Sequence, residues 1–219
     1  MRTWVILHCL LVCFQSLWAQ TDEFPNLETA LHDAGKMRLS VQNFGGFGSG
    51  HEVVEGGRVR NITLEFPKGS YLRYMGEGAI WIGGIVGRDT LVSAAGVRGS
   101  DRITNVYGEL MPDVGDAGRI LYRSIMSNSP YHHRDAVSEQ DFVCIYTDTV
   151  TGFEFIPDDG YDGRPHLPMH VRIRQSSYVW SFDYAEDFVI FDYAVKNIGL
   201  LPIKELYIGI LVEPDGHTN

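Results

Sequence analysis

A chain of 219 residues can bury most of its unfolded surface, so it needs neither disulfides nor a metal to hold a core. With 44% hydrophobic and 21% charged residues it is globular rather than disordered, and a formal net charge of −10, dispersed along the chain, argues against nucleic acid and anionic lipid as partners. The 24 glycines, with 11 phenylalanines, 11 tyrosines and 4 tryptophans, favour many short strands over helices.

The N-terminus has the make-up of a secretory signal peptide, residues 1–19. Arg2 supplies a positive start, Trp4 to Phe14 is an apolar run too short to anchor in a bilayer, and Ala19 offers a small residue for cleavage, although Leu17 is larger than usual three positions before the cut. Val12 stands where a lipoprotein site before Cys13 takes a smaller residue. Cys9 and Cys13 leave with the leader, so Cys144 remains alone and no internal disulfide can form. An exported chain without bridges points to a bacterial source. No later stretch is long and apolar enough to span a membrane, so the mature chain is expected to carry no transmembrane segment.

Residues 20–36 form a polar segment that could hold at most one short helix, from Leu27 to Asp33. From residue 37 to 219 strand patterns dominate. In "MRLSVQ", Met37, Leu39 and Val41 alternate with Arg38, Ser40 and Gln42, which predicts one apolar and one wet face. The glycines of "GGFGSG" open no helix, so they read as a loop rather than a phosphate cradle. "HEVVE", from His51, has Glu55 where a zinc-protease helix needs its second histidine. Ala79 to Val86 and Thr90 to Ala94 read as a hairpin about Gly87, both arms apolar enough to be covered on two faces.

"YHHRD", from Tyr131, follows Pro130 in a loop. Adjacent histidines in an extended chain point to different sides, so a shared metal is not expected there. "DFVCIYTDTV" places Phe142, Cys144 and Tyr146 on one face, with Cys144 as a small core side chain. In "DDGYDGRPHLPMH" an EF-hand reading fails, because Gly160 and Met169 occupy ligand positions. A looser calcium site on Asp158, Asp159 and Asp162 stays open beside the plainer reading of a solvated turn, and no other cofactor is expected. His166 and His170 would lie about 13 Å apart along a strand, too far to share zinc.

Met169, Val171 and Ile173 are expected to face inward, with His170, Arg172 and Arg174 in water. Tyr178, Trp180, Phe182 and Tyr184 then share one side of a strand. Val189 to Val195 returns as its neighbour, and Ile203 to Glu213 supplies a third strand of an antiparallel meander. The aromatic row is a candidate carbohydrate-binding strip if exposed, and sandwich core if covered. The matching apolar row on the next strand favours the core.

Four blocks, "FPKGSYLRYMGEGAIWIGGIVGRDTLVS", "VSEQDFVCIYTDT", "SYVWSFDYAEDFVIFDYAVKNIG" and "LYIGILVEPDGH", together resemble a class of large, uncharacterised secreted bacterial proteins that often end in a type IX secretion sorting domain. The resemblance runs from about residue 40 onward. It implies export and a β-rich, multidomain extracellular protein, with no established reaction or catalytic residues. The chain stops at "EPDGHTN" without a sorting domain, so it is expected to be part of a longer product.

The sequence therefore predicts an all-β antiparallel sandwich, possibly incomplete at its C-terminus. Its expected role is a structural or adhesive module, secreted or at the cell surface, whose partners are other domains of the same protein or cell-surface polymers. Carbohydrate binding is the first alternative, and a portion of a secreted hydrolase the second. No G-x-S-x-G elbow or other catalytic motif marks a reaction.

Overall fold

The computed structural model describes residues 26–96, 108–151, 156 and 164–218. Two antiparallel sheets pack face to face, as the alternation of apolar residues predicts. The first is built from β1 (Thr29–His32), β2 (Arg38–Gln42) and β3 (Gly46–Phe47), then β6 (Leu64–Glu65), the long β7 (Leu72–Val86) and β8 (Asp89–Ala94). Between them β4 (His51–Glu55) and β5 (Arg58–Ile62) make a separate two-stranded ribbon. The second sheet contains β9 (Met111–Pro112), β10 (Leu121–Arg123), β11 (Gln140–Thr147), β12 (Val171–Val179) and β13 (Ile190–Asn197). The last strand, β14 (Ile203–Thr218), returns to the first sheet and pairs with β7. Among the described residues no helix is long and apolar enough to cross a membrane.

The core lies where Ile80 and Ile82 of β7 meet Phe142, Cys144 and Tyr146 of β11 and Val171 and Ile173 of β12. These are the residues that period-two alternation aims inward, and Met169 joins them while Arg174 faces water. Cys144 is buried, and burial pushes its thiol up to about 12, so it is an inert small side chain. Close packing explains a glycine within β7. A Cβ on Gly78 would stand 2.2 Å from the Phe47 ring, which lies across β7 and reaches Phe191 of β13 at 5.1 Å.

Four local expectations are corrected. The segment Leu27 to Asp33 is no helix: residues 29–32 form β1, whose Ala30 and His32 are buried while it pairs with β2. Sheet pairing overrides the weak helical preference of those residues. Second, β2 has no wet face, because Arg38 and Ser40 are buried beneath the β4–β5 ribbon. Arg38 donates to Glu55 Oε1 at 2.6 Å and Glu65 Oε2 at 3.2 Å, and Arg60 donates to Glu55 Oε2 at 2.6 Å and Glu65 Oε1 at 3.0 Å. The result is a closed square of two guanidinium groups and two carboxylates. Its hydrogen bonds to Arg38 and Arg60 hold the Glu55 carboxyl down to about 2.

Third, the expected β7–β8 hairpin forms, with Asp89 already paired to Val86 so that the turn is Gly87–Arg88, but it is covered on one face only. Trp81 and Val92 stay exposed on the other. Fourth, the C-terminal strands form no meander. After β13 the Ile198 N–H donates to the His170 carbonyl and Asn197 Nδ2 to the Leu201 carbonyl, turning the chain out of the second sheet. β14 then runs along β7, with Ile203 opposite Val86 and Thr218 opposite Leu72. Its 16 residues match the 15 of β7, whereas β13 has only 8.

His32 ties the two sheets together. Its ring stacks on Phe142 at 4.1 Å, and Nε2 lies 2.7 Å from Ser177 Oγ. Burial pushes its pKa down to about 3, with the Gln140 side chain opposing only weakly. The unfolded chain takes up this proton near pH 6.5 and the folded one near 3, so the stability His32 contributes is complete above 6.5 and declines as pH falls toward 3. Denaturant midpoints from pH 7 to pH 4 are expected to show this acid slope, and His32→Gln to flatten it. An unchanged slope in the variant would place the effect elsewhere.

Candidate functional site

β12 ends at Val179, opposite Gln140, the first residue of β11. The alternating aromatic pattern outlives the ladder. Only Tyr178 lies in the strand, while Trp180, Phe182 and Tyr184 belong to the loop that runs to β13. The expected single-strand row is therefore split into two pairs. Tyr178 and Trp180 are half-buried with ring centroids 6.3 Å apart, and Phe182 and Tyr184 stack at 5.6 Å and 22°. The Ala185 N–H donates to the Phe182 carbonyl at 2.7 Å, closing a turn that buries Ala185. Phe182 remains 41% and Tyr184 82% exposed. The apolar row of β13 does not cover them. Its Phe191, Tyr193 and Val195 pack instead on the core below.

Three connections meet at this end of the sandwich: the β1–β2 turn, the β10–β11 loop and the β12–β13 loop. Antiparallel pairing puts the latter two together, since Arg123 faces Asp141 and Tyr178 faces Ile190. Gln140 then clamps the β1–β2 turn. Its Oε1 accepts from Asp33 N at 2.9 Å and Ala34 N at 3.3 Å, and its Nε2 donates to the Leu31 carbonyl at 3.1 Å. Glu139 Oε2 accepts the Ser181 N–H at 2.5 Å, taking the place of the ladder bond that β11 no longer offers.

Gly35 permits the third contact. A Cβ there would sit 2.6 Å from the Glu186 carbonyl and 2.9 Å from that of Trp180. Beside it the Lys36 N–H donates to the Glu186 carbonyl at 2.7 Å, and Lys36 Nζ pairs with the Glu186 carboxylate. That carboxylate raises the pKa of Lys36 despite some desolvation, with Asp187 and Asp183 adding to the field. A set of side chains thus holds the aromatic turn in one place. Sequence patterning missed Gln140 and Gly35, because their value lies in partners more than a hundred residues away. Tyr131, in the same group of loops, stacks on Tyr122 at 5.1 Å and keeps much of its ring exposed.

A cleft of ≈ 520 Å³ opens between the edge strands β1 and β10, lined by Glu28, Asp116, Arg119 and Tyr122 among others. Two carboxylates share it, but Glu28 uses both oxygens to fasten the chain. Oε1 accepts from Arg119 Nε at 2.9 Å, and Oε2 accepts from Ile120 N at 2.8 Å. Glu28 is a clasp between the sheets.

The remaining sequence candidates separate. Asp158, Asp159 and Asp162 lie outside the described residues. Among the described residues no three His, Cys, Asp or Glu side chains are grouped to hold a metal. "HEVVE" is strand β4, where Glu55 serves the ion square. His170 is exposed while His166 is buried, its Nε2 2.7 Å from the Asp148 carbonyl and its Nδ1 3.3 Å from Glu109, misaligned for a hydrogen bond but close enough for charge pairing. Burial opposes charge on His166, yet Glu109 and the Asp148 carbonyl outweigh it and raise its pKa. The two histidines do not face a common ion.

Known protein families, curated proteins and solved structures contain no match to this chain.

Proposed function

We propose that this chain is a non-catalytic module of a secreted or cell-surface bacterial protein, and that it adheres through the loop end of its sandwich. The observation that carries this reading is the Phe182–Tyr184 stack, which stands in solvent on a turn fixed by Lys36 and Glu139. Rigid, exposed aromatic rings give contact area at small entropic cost, and they occur on a frame that does not need them for its core. Export rests on the leader-like residues 1–19. Its check is the N-terminal sequence of the protein released by a secreting bacterial host, which should begin just after Ala19.

The exposed stack also favours a polysaccharide as the polymer bound, because the apolar faces of sugar rings pack on aromatic faces. In affinity electrophoresis against a panel of cell-surface polysaccharides, Phe182→Ala and Tyr184→Ala are each expected to weaken retention about tenfold, while stability stays within about 0.5 kcal/mol. Unchanged retention in both variants would move the contact away from this turn. A stability loss above about 2 kcal/mol would mark the rings as structural.

A further inference from the structure

We propose that β14 is a self-association edge, through which two copies of this chain pair antiparallel about a two-fold axis at Gly209. Among the described residues β14 is the outermost strand of its sheet, paired on one side with β7. Residues 206–212 read Leu-Tyr-Ile-Gly-Ile-Leu-Val, seven positions without a charge. Edge strands are ordinarily blunted by charges or prolines, and an uncharged apolar edge is a template for another strand.

The register makes the exposure specific. Ile208 lies opposite Ile82 and Ile210 opposite Ile80, and directly opposed residues of an antiparallel pair share a face. Ile80 and Ile82 are fully buried, yet Ile208 is 52% and Ile210 51% exposed on that same face. An apolar strip thus continues the core face beyond the second sheet. A second copy extends it only if residues of one face meet residues of the same face across the new seam.

A two-fold axis at Gly209 satisfies that condition. Ile208 of one copy meets Ile210 of the other, Tyr207 meets Leu211, and Leu206 meets Val212. Charge completes the match at both ends. Gly209 lies opposite Trp81, Lys204 opposite Ile85 and Glu213 opposite Glu77, so Lys204 and Glu213 stand four β7 positions to either side of the axis. The bulge between Lys204 and Tyr207 absorbs the one extra residue. Each Lys204 therefore faces a Glu213 of the other copy, giving two ion pairs per closed, isologous dimer. The surface is distinct from the aromatic turn, and its test does not depend on the ligand of that turn.

Sedimentation velocity of the chain from residue 20 to 219 over about 1–100 µM is expected to show a monomer–dimer equilibrium. Lys204→Glu and Glu213→Lys each place two like-charge pairs in the seam and should raise the dimer Kd about tenfold, whereas the double exchange restores it to within about twofold. Both positions are exposed, and far-ultraviolet circular dichroism of each variant confirms that the fold is kept. A chain that stays monomeric across the range, forms open-ended oligomers, or is not rescued by the double exchange overturns the proposal, since unspecific apolar association is indifferent to that exchange.

Discussion

Replacing Glu65 with alanine is expected to destabilise the fold by about 3–5 kcal/mol, the loss typical when one partner of a buried ion pair is removed. The Glu65 side chain is only 1% exposed, and it accepts hydrogen bonds from Arg38, Arg60 and the Tyr71 N–H. Desolvation alone would raise its pKa, but Arg60 first and the Tyr71 N–H next outweigh that and hold it lowered. Without Glu65 two guanidinium groups would share Glu55, which is partly open to solvent, and Arg60, stacked 3.9 Å over the Tyr71 ring, would lose the anchor of its inner side. Chemical denaturation with circular dichroism measures the loss. A variant that replaces all four charged residues with apolar ones of similar volume should recover much of it, because the penalty lies in the uncompensated charge. A loss below about 1 kcal/mol for Glu65→Ala would show that water reaches the square and that the ribbon is held by other contacts.

The square also shows what the sequence could and could not disclose. Period two in "DFVCIYT" and "HVRIRQ" predicted the inward faces of β11 and β12, because both strands are central and their pattern is set by one continuous core. Arg38 and Ser40 obey the same alternation, and the sequence reads them as wet. The carboxylates that pair with Arg38 come from two other elements, Glu55 from the β4–β5 ribbon and Glu65 from β6 beside β2, and burial of an arginine depends on such partners rather than on its neighbours in sequence. β1 was obscure because its short alternation is carried by Ala30 and His32, which no apolar pattern flags. The sequence places β14 beside β13 because successive strands joined by short links usually pair, and only the length of β7 opposes that default.

The candidate site was half legible for a related reason. The aromatic spacing from Tyr178 to Tyr184 is that of a strand, but a strand persists only while a partner offers hydrogen bonds, and β11 begins at Gln140. From Trp180 onward the backbone takes its bonds from side chains such as Glu139 and from its own turn. Loss of the ladder frees Phe182 and Tyr184 from facing the core, so the single-strand setting that their spacing predicts does not hold. No sequence pattern reports where a ladder ends in its partner.

Substituting Asp148 with alanine is the second large effect, expected at about 3–5 kcal/mol. Asp148 is fully buried at the end of β11 and accepts three hydrogen bonds: Met169 N at 2.6 Å, Val171 N at 2.8 Å and Ser93 Oγ at 2.8 Å. It thereby joins β8 of one sheet to the start of β12 in the other, and its own carbonyl lies 2.7 Å from His166 Nε2. Removing the carboxylate strands two backbone N–H groups and a hydroxyl where water is excluded, and each buried orphan costs about 1–3 kcal/mol. Asp148→Asn keeps one acceptor oxygen but turns an NH₂ toward a donor, so it should lose about half as much. Urea midpoints give the two losses, and amide exchange at Met169 and Val171 should accelerate in both variants. Losses below about 1 kcal/mol with protected amides would mean that water replaces the carboxylate, and would deny Asp148 its part in joining the sheets.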